Sequence, residues 1–227
     1  MQVPSQVPVM ILPNATLFPQ MTLPLRIFEP RYRQMLKDVL EGDRMFAVAL
    51  RKAKARGETP SSIGGLGLVS AAVEHPDGTS HLVLHGLSRV EFLGPVRRKP
   101  YRVEAIRALA APPPEPETAT RLARKVRALV RRRVKQGFDL GLPTATDPQK
   151  ATQFEQMQKL ANLSLRRFAE HMATVKSPEH LADLVASTLV GDPYDRQLLL
   201  ATPQVETRLQ FLLQFLLAEA ESEPPIE

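Results

Sequence analysis

Ala110-Ala111-Pro112-Pro113-Pro114-Glu115-Pro116-Glu117 divides the chain more sharply than any other segment. Proline offers no backbone donor and fixes φ, so such a run continues neither a strand nor a helix and reads as a stiff, extended connection. Hydrophobic patterning changes across it, from mostly period-two runs before to period-3.6 runs after. The expected architecture is therefore α+β: a β-rich lobe over residues 1–110, a linker over 111–117 and a helical lobe over 118–227.

Before the linker, apolar or alternating runs at 7–12, 23–28, 45–50, 66–73, 81–85, 88–93 and 101–108 predict about six strands, as a twisted sheet or a partly closed barrel. Pro76-Asp77-Gly78 marks a hairpin turn. In 88–93, Val90 and Phe92 face one way, Arg89 and Glu91 the other. Residues 30–40 place Tyr32, Met35, Leu36, Val39 and Leu40 at helical spacing and stop before Gly42. Gly64-Gly65-Leu66-Gly67 reads as flexibility at a strand start.

After the linker, Asp147-Pro148, Ser177-Pro178, Asp192-Pro193 and Thr202-Pro203 each set a capping side chain before a proline, which predicts four helix starts. Residues 118–135 make a fifth helix, giving a bundle of about five. The expected buried stripes are Phe154, Met157, Ala161, Leu165, Phe168 and Met172; Leu181, Leu184, Val185 and Leu189; and Val205, Leu209, Leu212, Leu213, Leu216 and Leu217. The doubled leucines of the last stripe also suit self-association into a homo-oligomer.

Several chemistries lack their residues. The chain has no cysteine, which removes disulfides, thiolate metal sites and cysteine nucleophiles. No Walker-type Gly-x-x-x-x-Gly-Lys-[Ser/Thr] and no Gly-x-Ser-x-Gly occurs. Of the five histidines, His81 and His85 lie on one strand face about 13 Å apart, too far for one ion. His75 falls at the turn without an acidic cluster. No catalytic residue, metal or cofactor is expected. No run of about 18 apolar residues suggests a membrane span, and the N-terminus has no signal-peptide pattern, so the expected setting is cytoplasmic.

The net charge of +6 is concentrated: residues 97–135 carry thirteen Lys or Arg against three Glu. In the helix expected over 118–135, Arg121, Arg124, Lys125, Arg127, Arg131, Arg132 and Lys135 project away from Leu122, Val126, Leu129 and Val130, with Arg133 alone on the apolar arc. Arg121, Arg124, Lys125, Arg131 and Arg132 are the candidate binding residues. That stripe is a candidate polyanion site and supports nucleic-acid binding as the alternative function.

Two blocks of sequence resemble the N-terminal domain of Lon proteases. Val7-Pro8-Val9-Met10-Ile11-Leu12-Pro13-Asn14-Ala15-Thr16-Leu17-Phe18-Pro19, continued by Leu23-Pro24-Leu25-Arg26-Ile27-Phe28-Glu29-Pro30-Arg31-Tyr32, looks like that family's opening. Gly67-Leu68-Val69, Pro76-Asp77-Gly78-Thr79 and His85-Gly86-Leu87-Ser88-Arg89-Val90 are similar to its second block. The resemblance spans roughly residues 7–218. It implies a substrate-recognition module for unfolded or exposed polypeptide segments, linked to a protease or chaperone system as adaptor or regulator. In full Lon proteases this region leads to an ATPase and a protease domain. With the chain stopping at Glu227, neither activity is expected. Leu17, Phe18, Met21, Leu25 and Phe28, near turns of the first lobe, are the candidate peptide-binding residues.

Overall fold

A computed structural model describes residues 3–55, 57–136 and 148–222. The chain forms β1 (Gln6–Leu12), β2 (Thr22–Ile27), α1 (Pro30–Glu41), β3 (Met45–Leu50), β4 (Ile63–Glu74), β5 (Ser80–Arg97) and β6 (Val103–Ala108). The helices α2 (Pro116–Gln136), α3 (Pro148–Thr174), α4 (Pro178–Leu189), α5 (Pro193–Ala201) and α6 (Val205–Ser222) follow. Two compact units emerge: Met1–Pro113 with Asp183–Gln204, and Pro114–Ala182 with Val205–Glu227.

The first unit is built on one mixed sheet, ordered β2-β5-β4-β3-β1-β6, in which β5 also pairs with β6. β1 and β3 are parallel, Val9 opposite Ala47, and every other pairing is antiparallel. Parallel neighbours need a crossover, and α1 lies on it. Tyr32 fastens that helix to β1: its hydroxyl accepts from Ile11 N at 3.2 Å. Met35, Leu36 and Val39 bury the same helix face. The runs expected as separate strands at 81–85 and 88–93 are one 18-residue strand, β5. Its first half pairs with β2, its last with β6.

Gly65 of β4 and Gly86 of β5 mark close approach rather than flexibility. A Cβ on Gly65 would stand 2.0 Å from Leu17 O, and one on Gly86 would stand 2.0 Å from Phe18 O. Residues 17–21 lie directly on the sheet there, with Gln20 N donating to Gly86 O and Gly86 N to Met21 O, both at 2.8 Å. Only glycine leaves the backbone room to come that near.

Residues 183–204 belong with the strands, whereas the sequence reading counted them with the helices. Arg89 explains the grouping. It is 5% exposed, and its guanidinium makes a forked contact with Asp183, Nη1 to Oδ2 at 3.0 Å and Nη2 to Oδ1 at 2.5 Å. Its Nε donates to Leu200 O at 3.0 Å. Gln197 Nε2 reaches Ile63 O at 2.9 Å, and Arg196 Nη2 reaches Asn14 O at 2.8 Å. The strand alternation around Arg89 holds, but its face is covered.

In the second unit, Ala119, Leu122, Ala123, Val126 and Val130 of α2 are buried together with Val205, Leu209, Leu212 and Leu216 of α6. Arg208, 1% exposed, pairs with Glu179 at 3.3 Å. Glu206, in the first turn of α6, accepts from Glu115 N at 2.7 Å.

Three helix starts fall at the expected prolines, Pro148, Pro178 and Pro193. Asp192 caps α5 by accepting from Tyr194 N and Asp195 N, and Ser177 Oγ accepts from His180 N at 3.3 Å. Asp147 lies outside the described residues. Thr202 starts no helix: it is the C-cap of α5, its hydroxyl donating to Leu198 O at 2.8 Å, and α6 begins at Val205. The helix expected over 118–135 begins at Pro116. The stripe expected on α3 is buried only at Met172 among its described side chains, while Ala161, Leu165 and Phe168 are half-buried and Met157 is 50% exposed. Phe154's side chain lies outside the described set.

Removing the carboxylate should show what the Arg89 pair is worth. Asp183→Ala leaves a buried guanidinium without its counter-charge, at an expected cost of about 3–5 kcal/mol in urea unfolding. Glu91→Gln, which breaks an equally short but exposed pair with Arg107, should cost under about 1 kcal/mol.

Candidate functional site

The five residues picked out for peptide binding do not form one open patch. Leu17 and Phe18 are 1% and 0% exposed, sealed by the glycine contacts on β4 and β5. Phe18 also lies 5.9 Å from the Arg89 guanidinium. Both are core residues of the first unit. Met21 and Leu25 are half-buried, and Phe28 alone is strongly exposed, at 60%.

An apolar surface exists nonetheless, on the sheet beside this segment. In the β2–β5–β4 register, Pro24, Val83 and Ala71 stand in one row and Arg26, His81 and Val73 in another. Residues aligned across strands share a face. Pro24, Ala71 and Val73 are exposed and Val83 half-buried. A groove of about 450 Å³ runs there, lined also by Leu25, Ala72 and Leu82, which pack against the core. Among the five predicted residues only Leu25 lines it. A β-bulge between Val69 and Ala71 shapes the wall, and Ser70, the extra residue, donates its hydroxyl to Val83 O at 2.9 Å. β2 ends the strand order. Pro24 in its middle has no N–H to offer another strand, which discourages simple edge-to-edge pairing.

The electrostatics show no assembled acid–base pair among the described residues. Each carboxylate held below its usual range has a structural cause. The Tyr101 hydroxyl, donating at 2.6 Å, and then Gln34 lower Asp38. Arg31 lowers Glu58. The backbone N–H and then the hydroxyl of Thr79 lower Asp77, and Lys159 lowers Glu155. Glu58 and Glu29 meet on the Arg31 guanidinium, whose Nη2 donates to each at 2.6 Å, and the cation between them makes that trio an ion-pair cluster rather than an acid–base pair. No group of three or more His, Asp or Glu is placed to hold a metal among the described residues, and no helix there is long and apolar enough to cross a membrane.

The basic helix is displayed as its periodicity requires. Arg121, Arg124, Lys125, Arg131 and Arg132 are all exposed on α2, opposite its buried arc. At 100° per residue they fall within about 120° of the circumference and extend about 17 Å along the axis. Arg127, expected on the outward face, lies instead half-buried at the border, where it donates to Val175 O and burial pushes its guanidinium pKa down. One further pair went unread in the sequence: His75 and His81 touch across the β4–β5 hairpin.

Solved Lon N-terminal domains share this fold. The N-terminal domain of a Mycobacterium avium complex Lon protease superposes with a TM-score of 0.63 at 14% identity, covering 93% of this chain and 97% of that one. A Lon N-terminal domain protein from Xanthomonas campestris gives 0.58 at 20% identity, covering 92% and 98%. The family model described as the ATP-dependent protease La (LON) substrate-binding domain matches residues 6–218, and the chain belongs to that family. Lon protease 1 of Thermus thermophilus is 27% identical over 222 residues, and Lon protease of Dictyoglomus thermophilum 23% over 229. Each match takes in at least 95% of this chain but only 25% of the relative. The chain thus spans about a quarter of the length of these curated relatives.

Burial separates the two phenylalanines experimentally. Phe18→Ala should cost about 3–5 kcal/mol of stability, whereas Phe28→Ala should stay within about 0.5 kcal/mol. Chemical denaturation of both variants beside the parent checks this.

Proposed function

We propose that this chain is a non-catalytic polypeptide-recognition module that binds exposed apolar or unfolded segments of other proteins, as an adaptor or regulator for a protease system in the cytoplasm. The observation that carries the reading is the match of residues 6–218 to a substrate-binding domain family. The β2–β5–β4 groove supports it physically. An apolar strip of this size gains roughly 25 cal/mol for each Å² of apolar surface it removes from water, whatever the sequence that supplies it. Few buried polar groups impose selectivity there, which suits a binder of many unfolded chains. The absence of nucleotide and nucleophile motifs from the sequence favours binding without chemistry.

A second reading, polyanion binding by α2, is favoured by the exposed stripe of Arg121, Arg124, Lys125, Arg131 and Arg132. It rests on charge alone. No aromatic side chain interleaves the stripe to stack on bases.

Two measurements test these readings. Fluorescently labelled unfolded casein should bind the purified chain and lose at least about tenfold affinity, or 1.4 kcal/mol, in Val73→Asp, with stability unchanged. The same preparation should neither hydrolyse ATP nor cleave the casein. Binding that Val73→Asp leaves intact would remove the groove from the proposal. For the second reading, duplex DNA affinity should fall about 500-fold between about 50 and 200 mM salt if some five phosphates are neutralised. It should vanish in Arg131→Glu/Arg132→Glu.

A further inference from the structure

The hairpin between β4 and β5 is tightly specified. His75 N donates to Thr79 O and Gly78 N to His75 O, both at 2.8 Å. Gly78 takes a φ of 74°, which favours glycine at that corner. Asp77 Oδ1 accepts from Thr79 N at 2.9 Å and from its hydroxyl at 2.8 Å, an Asx-type lock on the turn. This backbone brings His75 Nε2 to 2.6 Å from His81 Nδ1, the rings edge to face at 83°. His81 is exposed and His75 half-buried.

Two imidazole nitrogens aimed at one point from a fixed hairpin are half of a nitrogen-donor coordination sphere. We propose that His75 Nε2 and His81 Nδ1 form a two-ligand site for a borderline divalent transition-metal ion of the zinc, nickel or copper class. Metal–nitrogen bonds of about 2.0–2.1 Å at a tetrahedral angle put the two nitrogens about 3.3 Å apart. A separation of 2.6 Å therefore needs to open by only roughly 0.7 Å, a small side-chain rotation. Without an ion, one ring must donate its N–H while the other accepts. The ion takes the place of that shared proton, which moves to the other nitrogen of its own ring through solvent, so that two neutral rings bind the metal.

The donor set selects the ion. Imidazole suits zinc, nickel and copper, whereas calcium and magnesium need several oxygen ligands. The chain supplies no thiolate, and no third protein ligand joins the pair among the described residues. Water fills the open positions, so the ion exchanges readily. The surrounding charge is mixed. Arg26 is aligned with His81, and the Arg33 guanidinium lies over Gly78. Asp77 sits in the turn and Glu74 opposite Ser80.

The proposal is tested on the full chain, free of metal, titrated separately with zinc, nickel and copper. The measurements are calorimetry and the imidazole resonances of each histidine. One zinc ion per chain should shift the His75 and His81 rings together, and copper should bind more tightly than zinc or nickel. His75→Ala and His81→Ala should each weaken zinc binding by at least about tenfold, whereas His85→Ala should not. Calcium and magnesium should leave both rings unmoved. Circular dichroism confirms that these exposed-turn variants remain folded. Zinc affinity unchanged in either His75→Ala or His81→Ala would overturn the assignment, as would zinc binding that moves neither ring.

Discussion

Arg89 sits in the longest strand of the sheet with almost no access to water, and a guanidinium in that position must be met by a carboxylate or expel the structure around it. Asp183 meets it, 94 residues further along the chain. The Leu200 carbonyl takes a third N–H, and the Phe18 ring lies within reach of the cation's flat face. Satisfying this one cation therefore fixes how residues 183–204 lie on the strands. It also explains why the Leu17-Phe18 corner belongs to the interior. That corner rests on Gly65 and Gly86, so a charge, an aromatic ring and two missing side chains specify the same piece of architecture.

With that corner closed, the first unit's exposed apolar strip is elsewhere, on the outer rows of β2, β5 and β4. The division is physically sensible. Side chains that seal a buried ion pair cannot also open to a ligand without leaving the charge exposed to an unfavourable environment. Pro24, Ala71 and Val73 carry no such duty. Their exposure costs little stability and leaves a surface free for transient partners. On α2 the same separation holds between an apolar arc committed to the helical unit and a basic arc exposed to solvent.

Features encoded by neighbouring residues were legible in the sequence. The Pro76-Asp77-Gly78 turn, the α1 face of Tyr32, Met35, Leu36 and Val39, the Asp192 cap and the Leu209–Leu212–Leu216 stripe all rest on local spacing. The family resemblance was likewise readable in ordered motifs. What escaped depends on tertiary partners. Thr202-Pro203 has the same local signature as Asp192-Pro193, but Thr202 is already engaged as the end of α5. Gly65 looks like a flexible glycine until Leu17 O is laid against it. Phe18 near a turn and Phe28 near a turn are indistinguishable until one meets Arg89. The His75–His81 contact was within reach. Two histidines flanking a recognised hairpin turn should be tested across the hairpin, not along a strand.

Because the strand unit draws on residues 183–204, it is not a continuous stretch of the gene. A ribosome that has finished Pro113 has made every strand but not the carboxylate that Arg89 requires. About 70 more residues must be added first, roughly 4–14 s of synthesis at about 5–20 residues per second. During that interval the nascent sheet carries an uncompensated cation and an uncovered face, so it is itself an incompletely folded polypeptide of the kind that chaperones and proteases inspect.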